Sequence, residues 1–183
     1  MNFETTFGEA LAGVPDDAFD RSRFVPGSGP LDAVLMLIGE APGEQEVDES
    51  EPFVGSAGSR LDSIVGSIGI ERDELYLTNL VKVRPPDNRD PHQDEIETWQ
   101  PVLDAEIERV DPAVVVTLGN VATRALLDTD EGISDIHGKR VERDDHTIIP
   151  TYHPAATFYN ESAEHAIEDD IRSAAEKTGL GEE

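Results

Sequence analysis

Two runs of almost unbroken apolar character, AVLMLIG at 33–39 and AVVVTLG at 113–119, stand out from a polar background, and each ends in glycine. Short runs without polar alternation predict strands buried on both faces. ELYLTNLVKV at 74–83 predicts a third strand. Between these runs the period changes from a strand's to a helix's. Leu61, Ile64, Val65 and Ile68 fall at i, i+3, i+4 and i+7, and Ile96, Trp99, Leu103, Ile107 and Val110 form a longer stripe of the same kind, so each segment predicts a helix with one buried face. NVATRALL at 120–127 predicts a short helix, KRVERDDHTIIPTYHP at 139–154 a hairpin ending at Pro150, and 162–178 a final helix.

Alternation of strand and helix predicts an α/β fold: a three-layer α/β/α arrangement around a central, mainly parallel, four-stranded sheet. The length of 183 residues suits a single domain spanning 1–183, with 1–24 and 179–183 the least patterned parts and VPGSGP at 25–30 a turn into the first strand. Ligands of such sheets bind outside the carboxyl ends of the strands. Three stretches fall there: GEAPGEQE at 39–46, TNLVKVRPPDNR at 78–89 and PTYHP at 150–154.

Composition narrows the chemistry. The chain has no cysteine, which excludes disulfides, a thiolate nucleophile and cysteine-held zinc or iron–sulfur centres. Forty acidic residues against fourteen basic ones give a formal charge of −26, a balance that ordinarily opposes nucleic acid as a partner. The acids are dispersed, however, and the bases are 11 Arg and 3 Lys. That pattern suits molar salt, where the Debye length is only ~3 Å and local patches decide binding. One such patch is Lys82, Arg84 and Arg89. No apolar run approaches a membrane span and no leader is visible, so a soluble, cytoplasmic protein is expected.

Taken singly, the candidate residues each have an ordinary reading. Asn79 caps a strand end or presents a donor and an acceptor to a base edge; His153 makes a structural hydrogen bond; Phe53 belongs to the core; the arginines form surface ion pairs. GEAPGEQE lacks the Gly-Lys-Ser/Thr of a P-loop and the spacing of a dinucleotide fingerprint.

In combination and order they say more. GEAPGEQE, PFVGSAG at 52–58, TNLVKVRPPDNR, LGNVATRALL at 118–127 and IPTYHP at 149–154 resemble the motifs of the uracil-DNA glycosylase superfamily, closest to family 4, its iron–sulfur enzymes. The resemblance covers most of 25–172. It implies a repair glycosylase that flips uracil out of DNA and hydrolyses its N-glycosidic bond. It further implies that Phe53 stacks on the base, that Asn79 reads N3–H and O4, and that His153 bonds O2 as charge develops. Gly39, Ala41 and Gly43 would line the pocket; better-known relatives carry an aspartate where this chain has Ala41, so orienting water or the pocket falls to Glu40 or Glu46 of the same turn, and Glu40, the nearest carboxylate, is the candidate. Lys82, Arg84, Arg89, Lys139, Arg140 and Arg143 would contact phosphates. Uracil-containing DNA is the implied partner and a monomer is expected, with a sliding-clamp contact left open.

The departures are equally specific. Family 4 holds a [4Fe–4S] cluster with four cysteines, and the matching positions here are Val83, Trp99 and, near the N-terminus, Leu11 and Val14. No cofactor is therefore expected, and packing would replace the metal. The family's wedge into DNA becomes AATFY at 155–159, which makes Phe158 the candidate wedge. The family's arginine before Gly138 is His137. These changes motivate the alternative of a weak or inactive nucleic-acid-binding paralogue on the same fold. A small-molecule hydrolase using Glu40 and His153 is more remote, since it leaves Asn79 and the basic loop unexplained.

Overall fold

The structure, a computed structural model, describes residues 1–181. Five strands form one sheet: β1 (Leu35–Gly39), β2 (Tyr76–Asn79), β3 (Val114–Leu118), β4 (Val141–Glu142) and β5 (Thr147–Thr151), in the order β2-β1-β3-β5-β4. The first four in that order are parallel, as expected, and β1, β2, β3 and β5 are buried along their whole length. The expectation of four strands is corrected by β4, two residues long and antiparallel to β5, which is the outer arm of the predicted hairpin.

Helices cover both faces. On one side α5 (Gln93–Val110) packs with α1 (Phe3–Thr6) and α2 (Gly8–Ala12), joining Trp99, Val102 and Leu103 to Met36, Ile38 and Val115 of the sheet. On the other, α4 (Ser56–Ser67) and α8 (Glu161–Thr178) set Leu61, Ile64, Ile167 and Ile171 against Leu35, Leu37, Val114 and Val116. Successive residues of a strand point to opposite faces, so an unbroken apolar strand feeds two cores at once. Shorter helices α3 (Glu44–Glu49), α6 (Asn120–Leu127) and α7 (Ile133–Ile136) lie in the connections.

The third predicted strand is shorter than its apolar run. It leaves the sheet after Asn79, and residues 80–83 take other partners: Leu80 and Val81 donate their N–H groups to the carbonyls of Gly39 and Glu40, and the carbonyl of Lys82 accepts from Val25. Those bonds bind the turn after β2 to the turn after β1. No helix among the described residues is long and apolar enough to cross a membrane.

Candidate active site

Gly39 and Asn79 are paired neighbours at the ends of β1 and β2. A Cβ placed on Gly39 would lie 2.5 Å from Cζ of Phe53 and 2.6 Å from Oδ1 of Asn79, so the ring and the amide converge where only a glycine leaves room. Asn79 is 5% exposed, and its side-chain amide makes no hydrogen bond among the described residues. The amide atoms are not among the buried polar atoms cut off from solvent without a partner, so the amide stays open to a ligand at the end of β2.

Phe53 is held from behind. It adopts a left-handed backbone with φ 55°, uncommon for a bulky residue. Arg72 fixes this turn by donating to the carbonyls of Pro52 at 2.5 Å and Phe53 at 2.8 Å while pairing with Asp62 at 2.8 Å. Gly58 of α4 lets the turn approach: any Cβ there would meet the Phe53 backbone.

Glu40 follows Gly39. Burial, with the Asp90 carboxyl in hydrogen-bonding contact, raises its pKa from 4.5 to about 7. Burial and a neighbouring carboxyl both disfavour the ionised form of Glu40. In the same turn Gly43 faces Glu46, whose Oε2 lies 2.7 Å from the point a Cβ would occupy. Ala41 is partly buried against the α5 core.

His153 follows β5. Its Nδ1 accepts from the Ala155 N–H at 3.1 Å, and burial pushes its pKa down. The ring is therefore neutral, with its proton on Nε2 as a free donor. Gly119 at the end of β3 has φ 91°, and a Cβ on it would come within 3.1 Å of the His153 Cβ. In the sheet order β2 and β5 are separated by β1 and β3, three strand spacings or about 14 Å. Asn79 and His153 thus stand at the carboxyl ends of strands on either side of β1 and β3.

The basic residues divide. Lys82, expected on the surface, is corrected: it is fully buried, its Nζ 2.7 Å from Glu106 Oε1 and donating to the Asn79 carbonyl at 2.5 Å. Burial pulls the ammonium's pKa down and the Glu106 carboxyl's up, each opposed by the partner's charge. Arg89 is corrected in part, because both its terminal nitrogens donate to Glu95 at 2.8 Å, and this pairing holds the Glu95 carboxyl down at about 2. It fastens the loop to the start of α5, where His92 is the N-cap.

Arg84 is partly buried, and its backbone carbonyl and that of Pro85 accept from Arg23. Lys139 is 58% exposed and 3.8 Å from Glu131. Arg140 donates to Ser173 and Arg143 to the Glu142 carbonyl. The Gly138 N–H donates to the Pro150 carbonyl, which brings Lys139 and Arg140 to the His153 end of β5. Phe158 is 52% exposed, with the Arg60 guanidinium 5.7 Å from its ring centre.

The four positions that the resemblance gives to cysteine do come together. Leu11, Val14 and Trp99 are buried in one cluster, and Val83 packs against it. Phe19 meets the indole edge-on at 5.3 Å between ring centres and Phe24 stacks on it at 6.2 Å, while Val83 is bridged to Phe24. These side chains do not fit an iron–sulfur cluster, because aliphatic groups and an indole supply no thiolate.

Residue patterns overlooked Arg72, Asp90 and Glu106. The first two lack any motif of their own. Glu106 did carry a signal, since it occupies the inward face of the Leu103–Val110 helical stripe, where an unpaired carboxylate is untenable.

The profile of the Uracil DNA glycosylase superfamily matches residues 26–175. A type-4 uracil-DNA glycosylase of Sulfurisphaera tokodaii is 40% identical over 165 residues, which cover 85% of this chain and 75% of that one. The corresponding protein of Saccharolobus solfataricus is 41% identical over 85% and 76% of the two chains, and that of Archaeoglobus fulgidus 37% over 87% and 84%. Together with the ordered motifs, these matches show that the chain belongs to the uracil-DNA glycosylase superfamily, on its type-4 branch.

Proposed function

We infer that the protein excises uracil from DNA, hydrolysing the bond between N1 of the base and C1′ of the sugar to leave an abasic site. The observation that carries this reading is the unpartnered Asn79 amide, wedged with the Phe53 ring against Gly39. Its acceptor suits uracil N3–H and its donor suits O4; cytosine reverses both, so the buried amide would be left unpaired against it.

In the proposed mechanism the flipped base stacks on Phe53 beside the Gly39–Gly43 turn. As the C1′–N1 bond breaks, charge accumulates on the base, and the neutral His153 donates from Nε2 to O2. A preorganised donor aimed at developing charge is commonly the largest catalytic contribution. Glu40, once ionised, orients the water that adds to C1′. Arg84, Lys139 and Arg140 supply phosphate contacts and Phe158 the wedge. The apolar cluster at Trp99 supports a fold held without iron–sulfur, and the dispersed acid supports work in concentrated salt, where shape and stacking outweigh phosphate contacts.

The test incubates the protein with single-stranded and duplex uracil oligonucleotides across a KCl series, followed by alkali cleavage. Strand scission at uracil, lost in Asn79→Ala and His153→Ala, is expected. No scission from demonstrably folded protein would favour a non-catalytic DNA-binding role, and full activity in both variants would refute the site.

A further inference from the structure

The buried pair of Lys82 and Glu106 stands apart from everything used above. Both side chains are fully removed from solvent. Removing an ammonium and a carboxylate from water costs several kcal/mol per ion, and apolar residues of similar volume often stabilise a fold more. Stability is therefore a poor reason for the pair, and its position suggests a better one. Lys82 Nζ donates to the backbone carbonyl of Asn79 and lies 2.7 Å from Glu106. It thus closes the turn 79–82 from inside, directly behind the amide that meets Gly39 and Phe53.

Glu106 is buried among polar groups of β2. Its Oε2, the Tyr76 hydroxyl and the Thr78 Oγ1 all lie within 3.0 Å of the point a Cβ on Gly27 would occupy. Tyr76 and Thr78 belong to β2, the strand that ends in Asn79. One face of β2 thus crowds two hydroxyls against the Glu106 carboxylate of α5 without a well-aligned hydrogen bond, which leaves Lys82 as the partner of that carboxylate, while Asn79 projects toward Phe53 and the other core.

We propose that Lys82, anchored by Glu106, is a positioning residue that fixes the backbone of Asn79 and so the direction of its base-reading amide. The proposal rests on the reading of Asn79 given above. A buried ammonium accepts one arrangement of its donors, so the Asn79 carbonyl has one place to be. Replacing the pair with apolar groups frees that carbonyl and lets the amide swing by a fraction of an ångström. The consequence is a loss of transition-state stabilisation and of discrimination between bases, more than a loss of DNA binding.

The double substitution Lys82→Met with Glu106→Leu removes both charges together, leaving neither orphaned. With thermal stability measured alongside, single-turnover kinetics on a single-stranded uracil oligonucleotide is expected to show kcat lowered about 10- to 100-fold, the cost of misplacing a positioned group. KM should stay within threefold, and cytosine excision relative to uracil should rise. In an Asn79→Ala background the same double substitution should cost less than about threefold more, because residues acting through one another are not additive. A folded double variant with wild-type kcat and base discrimination overturns the proposal, as does a full further loss in the Asn79→Ala background. Full activity of Asn79→Ala alone overturns instead the reading of Asn79. Should the double variant fail to fold, the isosteric Glu106→Gln carries the test: it keeps an acceptor for Nζ and removes the charge. A drop of about three- to tenfold in kcat with rising cytosine excision is expected, and unchanged values refute the positioning role.

Discussion

Trp99 offers the sharpest test of the packing that occupies the cysteine positions. It is the chain's one tryptophan and is 2% exposed, packed among Phe19, Phe24 and the Leu11–Val14 segment. An aromatic side chain buried this fully removes about 150–250 Å² from water, worth about 4–6 kcal/mol at ~25 cal/mol per Å². Partial collapse of the cavity brings the expected cost of Trp99→Ala to about 3–5 kcal/mol. With an unfolding entropy of about 2.1 cal/mol/K per residue, the 183 residues give about 0.4 kcal/mol/K, so the midpoint should fall by about 8–13 °C. Circular dichroism melts in molar KCl read this directly. Trp99→Phe should lose less than half as much, and Phe158→Ala, at a half-exposed position, should move the midpoint by about 1 °C. A fall below about 3 °C for Trp99→Ala would show that this cluster does not hold the N-terminal segment in the way described.

Other outcomes follow from the site. Because Glu40 is raised to about 7, excision should rise as pH passes through 7; Asp90→Asn should move that limb to lower pH without reaching the ordinary 4.5, since burial is the larger cause. The folded state holds the Glu40 proton more tightly than the unfolded chain does, so this residue's contribution to stability should fall as pH rises from about 4.5 to about 7, readable by urea melts of wild type against Glu40→Gln. Gly39→Ala places a methyl against both Phe53 and Asn79 and should lower excision at least about tenfold, the scale of a slight misplacement; a wild-type rate would refute the pocket. Lys139→Ala should reduce the slope of log affinity against log salt by about 1, whereas the Lys82→Met, Glu106→Leu protein should leave that slope unchanged, because a buried ammonium displaces no counterion.

Much of the fold was legible because it is written in periodicity. Continuous apolar runs specify strands buried on both faces, the Trp99 stripe specifies α5, and strand ends specify where ligands gather. The site's outline was legible too, since Gly39, Asn79 and His153 stand at those ends. What failed was the end of β2 and the fate of Lys82. Sequence period cannot tell a strand that continues to Val83 from one that breaks at Asn79 to pair with Gly39, Glu40 and Val25. Nor can charge alone tell an exposed lysine from one whose partner lies 24 positions away on α5.

The sequence by itself determined the layered fold, the carboxyl-edge site and the absence of thiolate ligands, because each follows from local pattern or composition. Tertiary structure decided which charges face solvent, how Arg72 and Gly58 seat Phe53, and that Glu40 meets Asp90. Those outcomes depend on long-range contacts, in which the cost of burying a polar group is offset only by a partner that folding brings from elsewhere in the chain.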